Sequence, residues 1–112
     1  MTESEFMILA EETLDAIETA LEQVSDAGDV DIECSRTGNV MEIELIDQGS
    51  KIIVNSQPAM QEIWVAAKSG GFHYRRLDGR WLDTRSGAEL FTALSEAVSA
   101  QAGVPVRLNP PP

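Results

Sequence analysis

The chain has 112 residues, 43% hydrophobic and 24% charged, with a formal net charge of −11, one cysteine and one histidine. Such a length and balance describe one globular domain, residues 1–112, around a single core. One cysteine excludes an internal disulfide and a paired-cysteine metal clip, and so acidic a chain is repelled by nucleic acid and by anionic membrane surfaces, which are polyanions.

Residues 4–24 read as a helix. Phe6, Ala10, Leu14, Ile17, Leu21 and Val24 recur at helical spacing within an arc of about 80°, a core-facing stripe, and Ser4 is the expected cap. Glu11, Asp15, Glu18 and Glu22 fall in a second arc of about 60°, beside the apolar stripe. Asp26-Ala27-Gly28-Asp29 ends the helix with a glycine at the left-handed cap position. Val30, Ile32 and Cys34 then alternate with Asp31, Glu33 and Ser35, and Met41, Ile43 and Leu45 with Glu42 and Glu44. Around the turn at Thr37-Gly38-Asn39, residues 30–46 predict a hairpin. Lys51–Asn55 is a short strand that Pro58 interrupts, Gln61–Lys68 the next, and Phe72–Leu77 a further one. Asp78-Gly79 is a two-residue hairpin turn leading to Arg80–Leu82. Ser86-Gly87-Ala88-Glu89 fits a capping box opening a last helix with Leu90, Leu94, Ala97, Val98 and Ala102 on its apolar face, stopped by Gly103 and Pro105. The proline-rich tail is expected to be extended and frayed at its end. The order helix, five or six antiparallel strands, helix predicts an α+β fold, both helices on one sheet face and the other face open to solvent.

Two features stand out as candidate sites. Residues 1–47 hold 14 of the 19 carboxylates and a single base, Arg36, a net of −13, while the remaining 65 residues carry +2. Crowding like charge costs self-repulsion and points to a surface for cations or for a basic partner. If helix and first strand lie side by side, Asp26, Asp29, Asp31 and Glu33 continue the helix edge into one ridge. Carboxylate oxygens are hard ligands that suit divalent and trivalent cations, and a site with no enclosing loop and no nearby His or Cys ligand would be shallow, hydrated and weak. The competing reading is a solvated face that keeps the protein soluble. The second feature is Trp64. Ile63, Val65 and Ala67 share one strand face, and Trp64 is out of phase with them, an interface anchor on the open face rimmed by Asn55, Gln57, Gln61 and Lys68, unless a neighbouring aromatic or loop covers it. Cys34 reads as a buried thiol and His73 as an ordinary surface residue. Arg75, Arg76, Arg80 and Arg85 are expected to balance the acidic half. No nucleophile with an adjacent base, no phosphate loop and no pocket for paired carboxylates is apparent, so no catalytic residue is assigned.

The segments Ser4-Glu5-Phe6, DVDIE (29–33), GSKIIVN (49–55), IWVAAKSGGFHY (63–74), Arg85-Ser86-Gly87 and AQAG (100–103) together resemble the frataxin family, and its bacterial branch, the CyaY proteins, in particular. The resemblance covers nearly the whole chain. It implies a two-layer α-β sandwich with two near-parallel helices against the antiparallel sheet, and a protein that binds iron weakly, as Fe²⁺ and Fe³⁺, on an acidic ridge and acts in iron–sulfur cluster assembly. By position that ridge falls on Glu18, Glu22, Asp26, Asp29, Asp31 and Glu33, with Glu11 and Asp15 as weaker candidates and other divalent cations as competitors. The implied partners are the cysteine desulfurase and the iron–sulfur scaffold protein, met through Asn55, Gln61, Trp64 and Lys68. A cytoplasmic monomer is expected, with iron-dependent oligomerisation left open, and with neither nucleic acid nor membrane as partner. Two departures stand out: Met7 replaces a potential His ligand of some bacterial relatives, and Pro58 alters the loop between strands 3 and 4. The competing functions are ferroxidase-type iron oxidation, which needs a protected site, and a metal-independent acidic interaction module.

Overall fold

The computed structural model describes residues 1–28 and 30–111. Helix α1 spans Glu3–Asp26, followed by strands β1 (Ile32–Thr37), β2 (Val40–Leu45), β3 (Ser50–Gln57), β4 (Glu62–Ala67), β5 (Gly70–Leu77) and β6 (Arg80–Asp83), then helix α2 (Leu90–Ala102). The six strands form one antiparallel sheet in chain order, so every connection within it is a hairpin and β1 and β6 are its edges.

Both helices start differently from the sequence expectation. Thr2, not Ser4, caps α1: its hydroxyl accepts from the Glu5 N–H at 3.1 Å and the Glu5 carboxylate accepts from the Thr2 N–H at 3.1 Å. Thr2 has an acid three residues on, whereas Ser4 has Met7, so only the earlier residue closes a reciprocal box. At α2 the expected Ser86–Glu89 box does not form. Glu89 is itself the cap, its carboxylate accepting from the N–H groups of Phe91 (2.8 Å) and Thr92 (3.0 Å). A carboxylate there also meets the positive end of the helix dipole. Ser86 serves the preceding turn, donating to Asp83 at 2.8 Å.

The turns follow their residues. Gly28 follows the α1 cap at φ 86°, where a side chain would be strained. Asp78 and Gly79, at φ 51° and 77°, give the twist that a two-residue β5–β6 hairpin requires. Strand β3 extends past the expected Asn55 to Gln57.

One sheet face carries Ile32, Met41, Ile43, Leu45, Ile52, Val54, Ile63, Val65, Tyr74 and Trp81, all buried beneath Phe6, Leu14, Ile17 and Leu21 of α1 and Leu90, Leu94 and Val98 of α2. Period-2 alternation sends the intervening residues to the open face. A buried polar link joins the layers: the Trp81 indole N–H donates to the Thr13 hydroxyl at 2.9 Å, and the Trp81 ring meets Phe6 edge-on at 5.9 Å. The tail is extended as expected, but it is pinned to α2. Ser99 bonds both backbone groups of Val106, Ser95 accepts from the Leu108 N–H at 2.8 Å, and the Leu108 side chain is buried.

Candidate functional site

The acidic edge forms because β1 is an edge strand lying alongside α1. Within β1, Ile32, Cys34 and Arg36 turn toward the helix layer, while Glu33 and Ser35 are exposed on the other side; Asp31, just before the strand, is also exposed. The acids of helix and strand therefore wrap the sheet edge from both sides instead of lining one flat ridge. Glu22 and Asp26 are exposed and Glu18 half-buried. Asp29 lies outside the described residues. Glu33 stands directly opposite Glu44, which stands opposite Lys51, and Lys51 reaches Glu42 at 2.6 Å. The negative patch thus spreads onto β2, and the like-charged Glu33–Glu44 pair is a local cost to the sheet.

Arg36 divides the edge in two. Its guanidinium, with only 16% of the side chain exposed, bonds Glu11 at 2.8 Å and also Asp15. Among the described residues no ion pair involves Glu18, Glu22, Asp26, Asp31 or Glu33. The two weaker candidates are consequently held by an internal cation, and the lower part of the edge is left uncompensated. Cys34 is half-buried rather than fully buried. Its thiol is pushed up to about 11, first by burial and then by the charges of Glu18 and Glu22. At neutral pH it is a thiol and a poor metal ligand. Among the described residues no three His, Cys, Asp or Glu side chains converge on a chelating position. The donor set is open, hydrated and made of hard oxygens, which fits weakly held cations rather than a caged one.

The open face has a second constellation. Trp64 is half-buried, and the covering neighbour is His73, its cross-strand partner, whose ring stacks on the indole at 4.3 Å between centroids and 9° between planes. The Trp64 N–H donates to Glu62 Oε1 at 2.8 Å, Arg75 Nε donates to Glu62 Oε2 at 2.7 Å, and His73 Nδ1 lies 3.3 Å from Glu62 Oε1. Glu62 is buried with 3% exposure. Burial would raise its carboxyl, but the bonds from Trp64 and Arg75 and the Arg75 charge outweigh that and hold it below the usual range. His73 is exposed as expected but is engaged by Trp64 and Glu62, and Arg75 serves the open face instead of balancing the acidic half. Arg76 lies 5.4 Å over the Trp81 ring and Arg85 binds the Gly71 carbonyl, and among the described residues neither these two nor Arg80 forms an ion pair with that half.

Of the four expected partner-facing residues, the structure brings two together. Asn55 and Trp64 are cross-strand neighbours, with Asn55 accepting from Gln57 at 2.6 Å. Gln61 lies in the turn before β4, at φ 52°, and donates to the Met1 carbonyl at 2.9 Å. Lys68 follows the far end of β4, where its N–H donates to Gln101 of α2. Glu62, His73 and Arg75 were missed by sequence reasoning. Glu62 shares the phase of Trp64, but only the register that sets Glu62 opposite Arg75 and Trp64 opposite His73 reveals the cluster.

Comparison with known proteins identifies the family and the fold. A family model described as a frataxin-like domain matches residues 1–104. A protein of Janthinobacterium sp. (strain Marseille), named iron-sulfur cluster assembly protein CyaY, is 65% identical, covering 97% of this chain and 97% of that protein. The protein of the same name from Herminiimonas arsenicoxydans is 60% identical over the same shares. Among solved structures, the frataxin of Psychromonas ingrahamii superposes with a TM-score of 0.86 at 31% identity, covering 97% of this chain and 99% of the other. A trimeric yeast frataxin from Saccharomyces cerevisiae, complexed with ferrous iron, superposes with a TM-score of 0.71 at 30% identity, covering 84% and 85%.

Proposed function

The chain belongs to the frataxin family, in the bacterial branch whose members are named CyaY, and from that premise we propose that it acts in iron–sulfur cluster assembly as a non-catalytic, iron-binding adaptor of the cytoplasm. The observation that carries this reading is the uncompensated lower edge formed by Glu18, Glu22, Asp26, Asp31 and Glu33, to which Asp29 belongs by sequence. Iron is cargo or signal on this edge, held weakly through carboxylate oxygens and water as Fe²⁺ or Fe³⁺, with other divalent cations competing. The same charge docks the protein onto a basic surface of the cysteine desulfurase, so occupancy by iron changes docking by changing charge. The open face around Asn55 and Trp64 supplies the short-range contact to a partner, the desulfurase or the iron–sulfur scaffold protein, with Gln61 and Lys68 at its two ends. The protein is a monomer in this reading, and iron shared between acidic edges of several copies would draw them together.

The test is an anaerobic Fe²⁺ titration of isotope-labelled protein followed by NMR, with Ca²⁺ as control at constant ionic strength. Selective broadening at Glu18, Glu22, Asp26, Asp29, Asp31 and Glu33 is expected; uniform or absent change refutes iron binding at this edge. Desulfurase affinity should fall steeply with salt and be lost when Asp29, Asp31 and Glu33 are replaced together by Lys. Affinity unchanged by that triple replacement removes the edge as docking surface.

A further inference from the structure

Glu62 is an unusual residue for an open sheet face. It is almost fully buried, carries its charge, and has both oxygens occupied by neighbours on the same face. Removing a carboxylate from water is unfavourable unless donors replace the water, and here Trp64 and Arg75 do so, with His73 close by. The consequence runs from Glu62 outward. The indole N–H of Trp64 is consumed inside the protein and the ring is fixed between that bond and the His73 stack. Arg75 is bound through Nε alone, and with 62% of its side chain exposed its terminal amino groups have no partner among the described residues.

We propose that Glu62 is a positioning residue: it locks Trp64 and Arg75 into one pose, so that the open face presents a rigid aromatic stack beside an outward-facing guanidinium fork. The partner that fits is a protein segment placing an apolar side chain next to a carboxylate. The stack accepts the apolar group with little loss of rotamer freedom, because it is already ordered, and the fork takes the carboxylate in bidentate fashion. A segment seeking a hydrogen bond from Trp64 is disfavoured, since that donor is taken. This deepens, and for the partner rests on, the reading of the open face as a docking surface; the hold of Glu62 on Trp64 does not depend on it.

The experiment compares Glu62→Ala and Glu62→Gln with the parent protein. Heteronuclear NMR resolves the indole N–H signals of Trp64 and Trp81, with Trp64→Phe assigning the former. Glu62→Ala is expected to speed solvent exchange of the Trp64 N–H by about tenfold or more, the scale of one lost charge-assisted bond, and to weaken the His73 ring-current shift, while the Trp81 signal stays in place as the internal check on folding. Glu62→Gln keeps an acceptor for the indole and should restore the Trp64 signal, yet it cannot hold Arg75, whose Nε–H should exchange freely in both variants. Unchanged Trp64 exchange in Glu62→Ala overturns the proposal. Affinities for the desulfurase and the scaffold protein are then measured with Glu62→Ala and Trp64→Ala. Loss of binding in both supports the lock, and loss in Trp64→Ala alone overturns it. Loss in neither refutes the docking face itself, leaving the exchange result to decide the role of Glu62.

Discussion

Replacing Arg36 by Gln tests how the acidic edge is divided. The parent side chain is 16% exposed and bridges Glu11 and Asp15, carboxylates that are each over 60% exposed. Exposed pairs contribute about 0.2–1 kcal/mol each, and one guanidinium shared by two carboxylates gives roughly 1 kcal/mol in all once solvent screening is counted. Glutamine is shorter and keeps some hydrogen-bonding capacity, but it removes the only base of the acidic half, so self-repulsion rises as well. The expected result is a melting temperature lower by about 4 °C at about 10 mM salt, where the screening length is near 30 Å, with the gap closing at about 1 M, where it is near 3 Å. Differential scanning calorimetry of both proteins across that range measures it. The same substitution frees Glu11 and Asp15, so a titration with Mn²⁺ should broaden signals at those residues only in the variant. A stability gap that persists unchanged at high salt, or Mn²⁺ broadening at Glu11 and Asp15 already in the parent, refutes the partition.

Thr13→Val preserves shape but removes the acceptor of the buried Trp81 N–H, so chemical denaturation should show a loss of about 1–3 kcal/mol; an unchanged midpoint would mean the bond adds nothing. Tyr74 is pushed up to about 12 by burial and by the charges of Asp83, Glu89 and Glu96. Because the folded state holds that proton more tightly, its contribution is complete below the unfolded value near 10 and is lost as pH rises toward 12, which stability measured by urea denaturation at successive alkaline pH values should reveal. Cys34, pushed up to about 11, should alkylate with iodoacetamide at pH 8 far more slowly than in the unfolded chain; equal rates would contradict its desolvation. Ser99→Ala removes both hydrogen bonds that pin Val106, and hydrogen exchange should rise at residues 106–108 with little change in the sheet.

Periodicity made most of the fold legible. The α1 stripe, the alternation in β1, β2 and β4, and the Asp78-Gly79 turn are local patterns, and local geometry alone decides them. Caps were misread where two candidates competed: Thr2 over Ser4, and Glu89 over Ser86, because the choice depends on which side chain reaches an unbonded N–H. The acidic edge was legible as a charge count, but not its division, since Arg36 meets Glu11 and Asp15 across 25 and 21 residues of chain. The cluster around Glu62 was hidden for the same reason. A glutamate in solvent phase predicts exposure, and only the pairing of β4 with β5 supplies the Trp64, His73 and Arg75 groups that bury it. The anchoring of the extended tail at Val106 and Leu108 was not legible, because serines on α2, not residues of the tail, make those bonds.

The distribution of bases explains why the negative edge survives folding. Seven of the eight basic residues lie beyond residue 47, enough to offset much of the acidic half had the chain brought them there. A meander sheet prevents it, because strands adjacent in sequence are adjacent in space and the acidic β1–β2 edge is separated from the Arg-bearing β5–β6 edge by the width of the sheet. Arg75 is consumed by Glu62 and Arg85 by a backbone carbonyl, Lys51 offsets Glu42 of β2, and among the described residues only Arg36 forms ion pairs with the acids of α1. A field left unneutralised in this way acts over a Debye length, whereas the Trp64–His73 stack acts only at contact. Under the proposed function the two surfaces divide the work of docking: the edge governs how fast a basic partner is met and how strongly salt opposes it, and the aromatic face governs how long the partner stays. Charge reversal on the edge should then act mainly on the association rate, and Trp64→Ala mainly on the dissociation rate.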